Sequence, residues 1–171
     1  MIIKQENKAD IQESFWALTD STKMGEKYRI DQNLKSLKYL PLETLQKIFI
    51  QYRFFTHYYI TDLAILISKL PGGQLRSILA EILDEELGEG NVRDSHPKLY
   101  DNFLLSIGIP EKSLDAANLH CIKNLRDIQQ SLLNKSWAYG VGLRGMGENV
   151  CVKFISALCM NFFHKMLQFK H

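Results

Sequence analysis

Between Pro41 and the "PGG" at residues 71–73, apolar side chains return at helical intervals: Leu42, Leu45, Ile48, Phe49, Tyr52, Phe55, Tyr59, Leu63, Leu66 and Ile67. A period near 3.6 gathers them into one stripe, and the proline suits a first turn, so the pattern predicts one long central helix. After Gly73, "QLRSILAEILDEELG" repeats the device with Leu75, Ile78, Leu79 and Ile82, and Gly88 supplies the stop. Pro97 opens a shorter helix, "PKLYDNFLLSIG", and Pro110 marks the turn after it. "NLHCIKNLRDIQQSLLNKS" then sets Leu119, Ile122, Leu125, Ile128 and Leu132 opposite Lys123, Asn124, Arg126 and Asp127. Glycines at 140, 142, 145 and 147 punctuate the next stretch, while residues 149–171 hold neither Gly nor Pro and can run as an unbroken helix. Ahead of all this, Ile11, Phe15, Trp16 and Leu18 predict a first helix over residues 8–19, and a loop with a short helix leads to residue 40.

No hydrophobic run alternates with period two between hairpin turns, so the fold class is all-α: antiparallel helices on short loops, burying their stripes as a bundle. A length of 171 residues suits one domain spanning 1–171. Composition changes this little, because 46% hydrophobic and 23% charged residues are ordinary globular values. The balance of 21 basic against 19 acidic residues, net +2, gives no ground for a nucleic-acid or membrane-surface partner. The most apolar stretch, "FFTHYYITDLAILI", is too short for a bilayer span and carries His57 and Asp62, so it reads as a buried helix. Cys121, Cys151 and Cys159 are odd in number and without CxxC spacing, and "MIIKQENKAD" lacks an apolar leader core; together they predict free thiols in a cytoplasmic protein.

Polar residues that face inward are where chemistry would reside. The run "EILDEELGE" holds Glu81, Asp84, Glu85, Glu86 and Glu89; Glu86 lies four residues after Ile82 and shares its apolar face. A frayed, solvated helix end is the plainer alternative for such a run. The Gly88 and Gly90 break lets the chain reverse, and Pro97 holds His96 at the start of the next helix, beside the end of the previous one. A capping or packed histidine is the plainer alternative there. Glu148, inside "YGVGLRGMGENVCVKF", needs a cation, a hydrogen-bond network or a metal if it is buried, and Arg144 four residues earlier offers an ion pair. Two carboxylates and an imidazole on different helices are donors of the kind that hold iron inside helical bundles. His57 reads as a core histidine bonded to a neighbouring helix, His120 as a boundary residue, and Tyr52, Tyr58, Tyr59 and Trp137 as core aromatics. No phosphate loop, GxSxG elbow or metal-binding CxxC is present.

The segment "EILDEELGEGNVRDSHPKLYDNFLLSIGI", the amphipathic helix after it and then "WAYGVGLRGMGEN" resemble the haem-oxygenase-like di-iron oxidase family. Its relatives include the PQQ-synthase-like proteins, the TenA-like proteins and the Chlamydia protein associating with death domains. The resemblance covers residues 40–150 and implies a seven-helix-type bundle, usually a homodimer, that binds Fe(II) as one iron or as a di-iron pair. Such proteins use O2 to oxidise a small-molecule substrate by N-oxygenation, oxidative decarboxylation or carbon–carbon cleavage. Glu86, His96 and Glu148 match the family's positions, which implies carboxylate ligands at Glu86 and Glu148, with Glu148 bridging a pair, and an imidazole ligand at His96.

The family's remaining ligands lie on a last helix bearing His, then Asp four residues on, then His three further. Here "HKMLQFKH" offers His164, Gln168 and His171 at that spacing, with Gln in place of Asp. On one helix His164 would lie about 24 Å along the axis and roughly 160° around from Glu148, too far to share its metal. The resemblance therefore implies a bundle shortened at its C-terminus, with His164 and His171 as further candidates for an incomplete metal site. Two functions follow as alternatives: an iron-dependent, O2-activating oxidoreductase, or a non-catalytic helical scaffold or protein-interaction module with a protein partner. A metal-free TenA-like enzyme with a nucleophilic cysteine is a third, opposed by the lack of any cysteine beside the acidic motif.

Overall fold

The computed structural model describes residues 26, 27 and 31–168, and among them the chain is helical with no strand. The predicted helix over residues 8–19 lies outside the described residues. The elements are α1 (Gln32–Ser36), followed by a single 3-10 turn over Leu37–Tyr39, then α2 (Leu42–Lys69), α3 (Gln74–Leu87), α4 (His96–Ser106), α5 (Leu119–Asn134) and α6 (Trp137–Gln168). The chain divides into two compact units, one of Pro41–Val141 and one of Met1–Leu40 with Gly142–His171. No described helix is long and apolar enough to cross a membrane.

In the Pro41–Val141 unit, α2 is the spine, and α3, α4 and α5 all pack against it. Its 28 residues reach about 42 Å at 1.5 Å per residue. Leu45, Phe49, Leu63 and Leu66 repeat at helical spacing and are fully buried, joined by Leu104 of α4 and Leu132 of α5. Polar links fix how the neighbours attach. The Arg53 guanidinium donates to both carboxylate oxygens of Asp101 on α4, at 2.5 and 3.1 Å, and to the Leu114 carbonyl at 3.3 Å. Its side chain is only 13% exposed, and the hydrogen bonds to Asp101 push its pKa above the usual guanidinium value. Gln51 pins the loop before α5 by donating to the Ala116 carbonyl and accepting from the Asn118 amide. At the far end, the Lys69 ammonium donates to the carbonyls of Leu132, Leu133 and Lys135, covering the negative end of α5 with a cation.

The glycines before residue 148 do not interrupt α6, which runs through all four of them. Gly140 has a packing reason: a Cβ there would lie 2.3 Å from Leu66 Cδ2, so the start of α6 leaves no room for a further carbon unless the buried Leu66 side chain shifts. In the other unit, Asp31 caps α1 by accepting from the amides of Asn33 and Leu34, and Leu158 and Phe162 of α6 are fully buried.

Candidate metal centre at the α3–α4 elbow

The chain reverses between α3 and α4 through residues 88–95, and the local sequence dictates how. Gly88 ends α3 in the left-handed region at φ +91°, with its own amide bonded to Glu85 O and the Glu89 amide to Asp84 O. That pair of bonds is a Schellman motif, which satisfies two of the last carbonyls of the helix. Space demands glycine as well: a Cβ at Gly88 would sit 2.3 Å from Asn91 O and 2.6 Å from Ser95 N. Beyond it, the Asn91 amide donates to Gly88 O, the Asn91 side chain bonds the Arg93 amide and Asp94, and buried Ser95 donates its hydroxyl to Val92 O. Ser95 is the N-cap residue of α4, and Pro97 is buried in its first turn.

This elbow brings together the two residues that flank it. His96 Nδ1 lies 2.9 Å from Glu86 Oε1, with the Glu86 side chain 15% exposed and the His96 ring 55% exposed. Two donors bound at right angles to one ion, with bonds of about 2.1 Å, stand about 3 Å apart. The 2.9 Å separation is that of a direct hydrogen bond or ion pair, and it also equals the spacing of two neighbouring ligand positions on an iron. Among the described residues no group of three or more His, Cys, Asp or Glu side chains could hold a metal. The Glu148 side chain and His171 lie outside the described residues. Glu148 and His164 are both carried by the unbroken helix α6, so the axial separation of about 24 Å stands and the two cannot share an ion within one chain. His164 itself is exposed.

Several other residues fall differently from the sequence expectation. His57 is exposed and not in the core; partial desolvation, then the Arg53 charge, holds its pKa below the ordinary imidazole value. Trp137 is 41% exposed, because the chain is only starting α6 at that point. Tyr52 and Tyr59 do pack in an aromatic cluster. Asp62, given no role from sequence, is a fully buried carboxylate on α2, and an acidic residue inside "FFTHYYITDLAILI" was the available signal. Arg144, one turn before Glu148, is buried as well. The three cysteines are free, and burial pushes the thiols of Cys121 and Cys159 up, which keeps them protonated and poorly nucleophilic.

Beside His96 lies a groove of about 340 Å³ lined by Thr56, His96, Leu99, Tyr100 and Phe103. Its floor is aromatic: the Tyr100 ring stands 5.7 Å from Phe103 and 5.6 Å from Tyr52, and Phe103 meets Phe49 edge-on at 5.4 Å.

Compared with known proteins, no curated protein and no solved structure matches the chain. A family model does: that of the iron-containing redox enzymes, over residues 46–158. That span covers most of the chain, from α2 through the elbow and α5 into α6, and it includes Glu86, His96 and Glu148. With its all-α architecture, the chain belongs to this haem-oxygenase-like family of iron-containing redox enzymes.

Proposed function

We propose that the chain is an iron-dependent oxidoreductase that activates O2 against a small metabolite, with Glu86 and His96 as two iron ligands; Glu148 is the further candidate that the family resemblance names. The observation that supports this most is the 2.9 Å approach of Glu86 Oε1 to His96 Nδ1 across a sterically specified elbow. The surroundings favour a cation. Asp84, Glu85 and Glu89 crowd the same helix end, its last turn has no basic residue, and the helix dipole adds negative partial charge there.

Iron(II) bound at this pair would supply one-electron redox chemistry with positions left open for O2. The protein's own contribution is orientation. Glu86, mostly shielded from water, keeps one carboxylate oxygen aimed at the imidazole, and Gly88 fixes the distance between the two helix ends. His96 would bind a metal through the unprotonated ring nitrogen of its neutral imidazole.

The test is the metal content of protein loaded anaerobically with Fe(II), compared with Glu86→Ala, His96→Ala and Glu148→Ala. Iron in the wild type that falls in each variant supports the assignment. Iron near zero in all four proteins sinks it and leaves the metal-free scaffold, the reading favoured by the convergence of only two donors among the described residues. Iron that depends on His164 or His171 instead would make the end of the chain part of the site.

A further inference from the structure

We propose that a second copy of this chain lays the exposed face of its α6 end on the acidic α3–α4 elbow, and that a two-fold axis makes this contact twice in a homodimer. Ser156, Met160, Phe163 and His164 are all exposed on α6. They stand at i, i+4, i+7 and i+8, so they form one face of the helix. Leu158 and Phe162 lie on the opposite side and are fully buried, while Met160 is 73% and Phe163 50% exposed. The end of α6 thus has two apolar stripes, and the chain covers only one of them.

The elbow is the complementary surface. Leu87, Val92 and Leu99 are exposed there, Val92 at 76%, and Glu81, Asp84, Glu85, Glu89 and Asp94 are exposed among them. Residues 81–94 carry six acidic residues against one basic, Arg93. Residues 149–171 carry Lys153, Lys165 and Lys170 and no Asp or Glu, with Lys165 in the last turn of α6. Charge therefore selects the occupant. Two α6 ends laid against each other would bring lysines together with no carboxylate side chain between them. On the elbow, the same cationic helix end meets an anionic one, with apolar side chains on both surfaces. The apolar side chains supply the attraction, and the charges supply register and encounter rate. Both surfaces are exposed within one chain, so the contact is made between chains. Unlike patches that meet about a two-fold axis close into a dimer and bury twice the area of one contact.

The dimer needs no iron, so it stands or falls apart from the proposed metal centre. The test is analytical ultracentrifugation of the full chain stripped of metal with EDTA, joined to zero-length carbodiimide cross-linking of a mixture of isotopically light and heavy protein. A concentration-dependent dimer is expected, with cross-links that join the Lys165 peptide of one isotope to a peptide from residues 81–94 of the other. Raising salt from about 0.1 M to about 1 M shortens the screening length from about 10 Å to about 3 Å and should weaken the dimer about tenfold or more. Met160→Glu, at an exposed position, and Glu85→Lys, on the opposing surface, should each weaken it about tenfold or more with helical circular dichroism unchanged. A monomer at every concentration overturns the proposal, as does a dimer whose mixed-isotope cross-links join other segments, or one indifferent to both variants. A wild-type monomer that binds vesicles containing phosphatidylserine, with binding lost in Met160→Glu, also overturns it and gives the α6 face to a membrane surface instead.

Discussion

Replacing Gly88 by alanine isolates the strain on which the α3–α4 elbow depends. At φ +91° an L-residue costs about 1–2 kcal/mol relative to glycine. The new methyl would sit 2.3 Å from Asn91 O and 2.6 Å from Ser95 N, both backbone atoms that no rotamer change can move aside. The elbow must open by about 1 Å to reach an ordinary contact, which weakens the 2.8 Å bond from Asn91 N to Gly88 O and the 2.9 Å bond from Glu89 N to Asp84 O. Two such bonds add about 2 kcal/mol, so Gly88→Ala should destabilise the protein by about 3–4 kcal/mol. Gly90 is the internal control: its φ is +85°, yet nothing lies within 4 Å of a Cβ built there, so Gly90→Ala keeps only the conformational cost. Urea and thermal unfolding should separate the two, with Tm lower by about 10 °C for Gly88→Ala and about 3–5 °C for Gly90→Ala. Equal destabilisation of the two variants would refute the steric argument. Unchanged Fe(II) affinity in a destabilised Gly88→Ala protein would show that the elbow does not set the Glu86–His96 spacing.

Three further expectations test other parts of the fold. Arg53→Lys keeps the charge but loses the bidentate fork on Asp101 and the bond to Leu114 O, and should cost about 1–3 kcal/mol in denaturant unfolding; a loss below about 0.5 kcal/mol, the size of an ordinary surface change, would mean the clamp is idle. Gly140→Ala drives a methyl into Leu66 and should cost about 1–3 kcal/mol, but the cost should shrink in a Leu66→Ala background, where the clashing Cδ2 is gone; strict additivity in the double-mutant cycle would contradict the close approach. Because burial raises the pKa of Cys121 and Cys159, iodoacetamide should alkylate them more slowly in the folded than the unfolded protein. Their pH midpoints should lie above the usual thiol value of about 8.5. The folded state holds these protons more tightly, so this contribution to stability is complete below the unfolded pKa and is lost as pH rises through the folded one. Midpoints at or below that of a free thiol would refute it.

Helix boundaries and the elbow were legible because they are local. The apolar stripe of α2, the stop at Gly88 and the start at His96 depend on side-chain periodicity and on the backbone preferences of Gly and Pro, which act over one or two turns. The pairing of Glu86 with His96 was legible for the same reason: only nine residues separate them, and a glycine break allows one tight reversal. Where pattern misled, distance along the chain was the cause. The sequence predicted an unbroken helix only after the four glycines, yet α6 runs through them as well, and a Cβ at Gly140 would meet Leu66, 74 residues away. His57 looked like a core histidine from its apolar neighbours, but which face of α2 is covered is decided by where α3, α4 and α5 dock. Arg53 and Asp101, the groove at Thr56 and Phe103, and the burial of Asp62 likewise arise from contacts between segments far apart in sequence. Local backbone chemistry thus determined the elements and the reversal that joins Glu86 to His96; only tertiary packing decided which faces are buried and what lies beside the site, because those depend on side chains no short window of sequence contains.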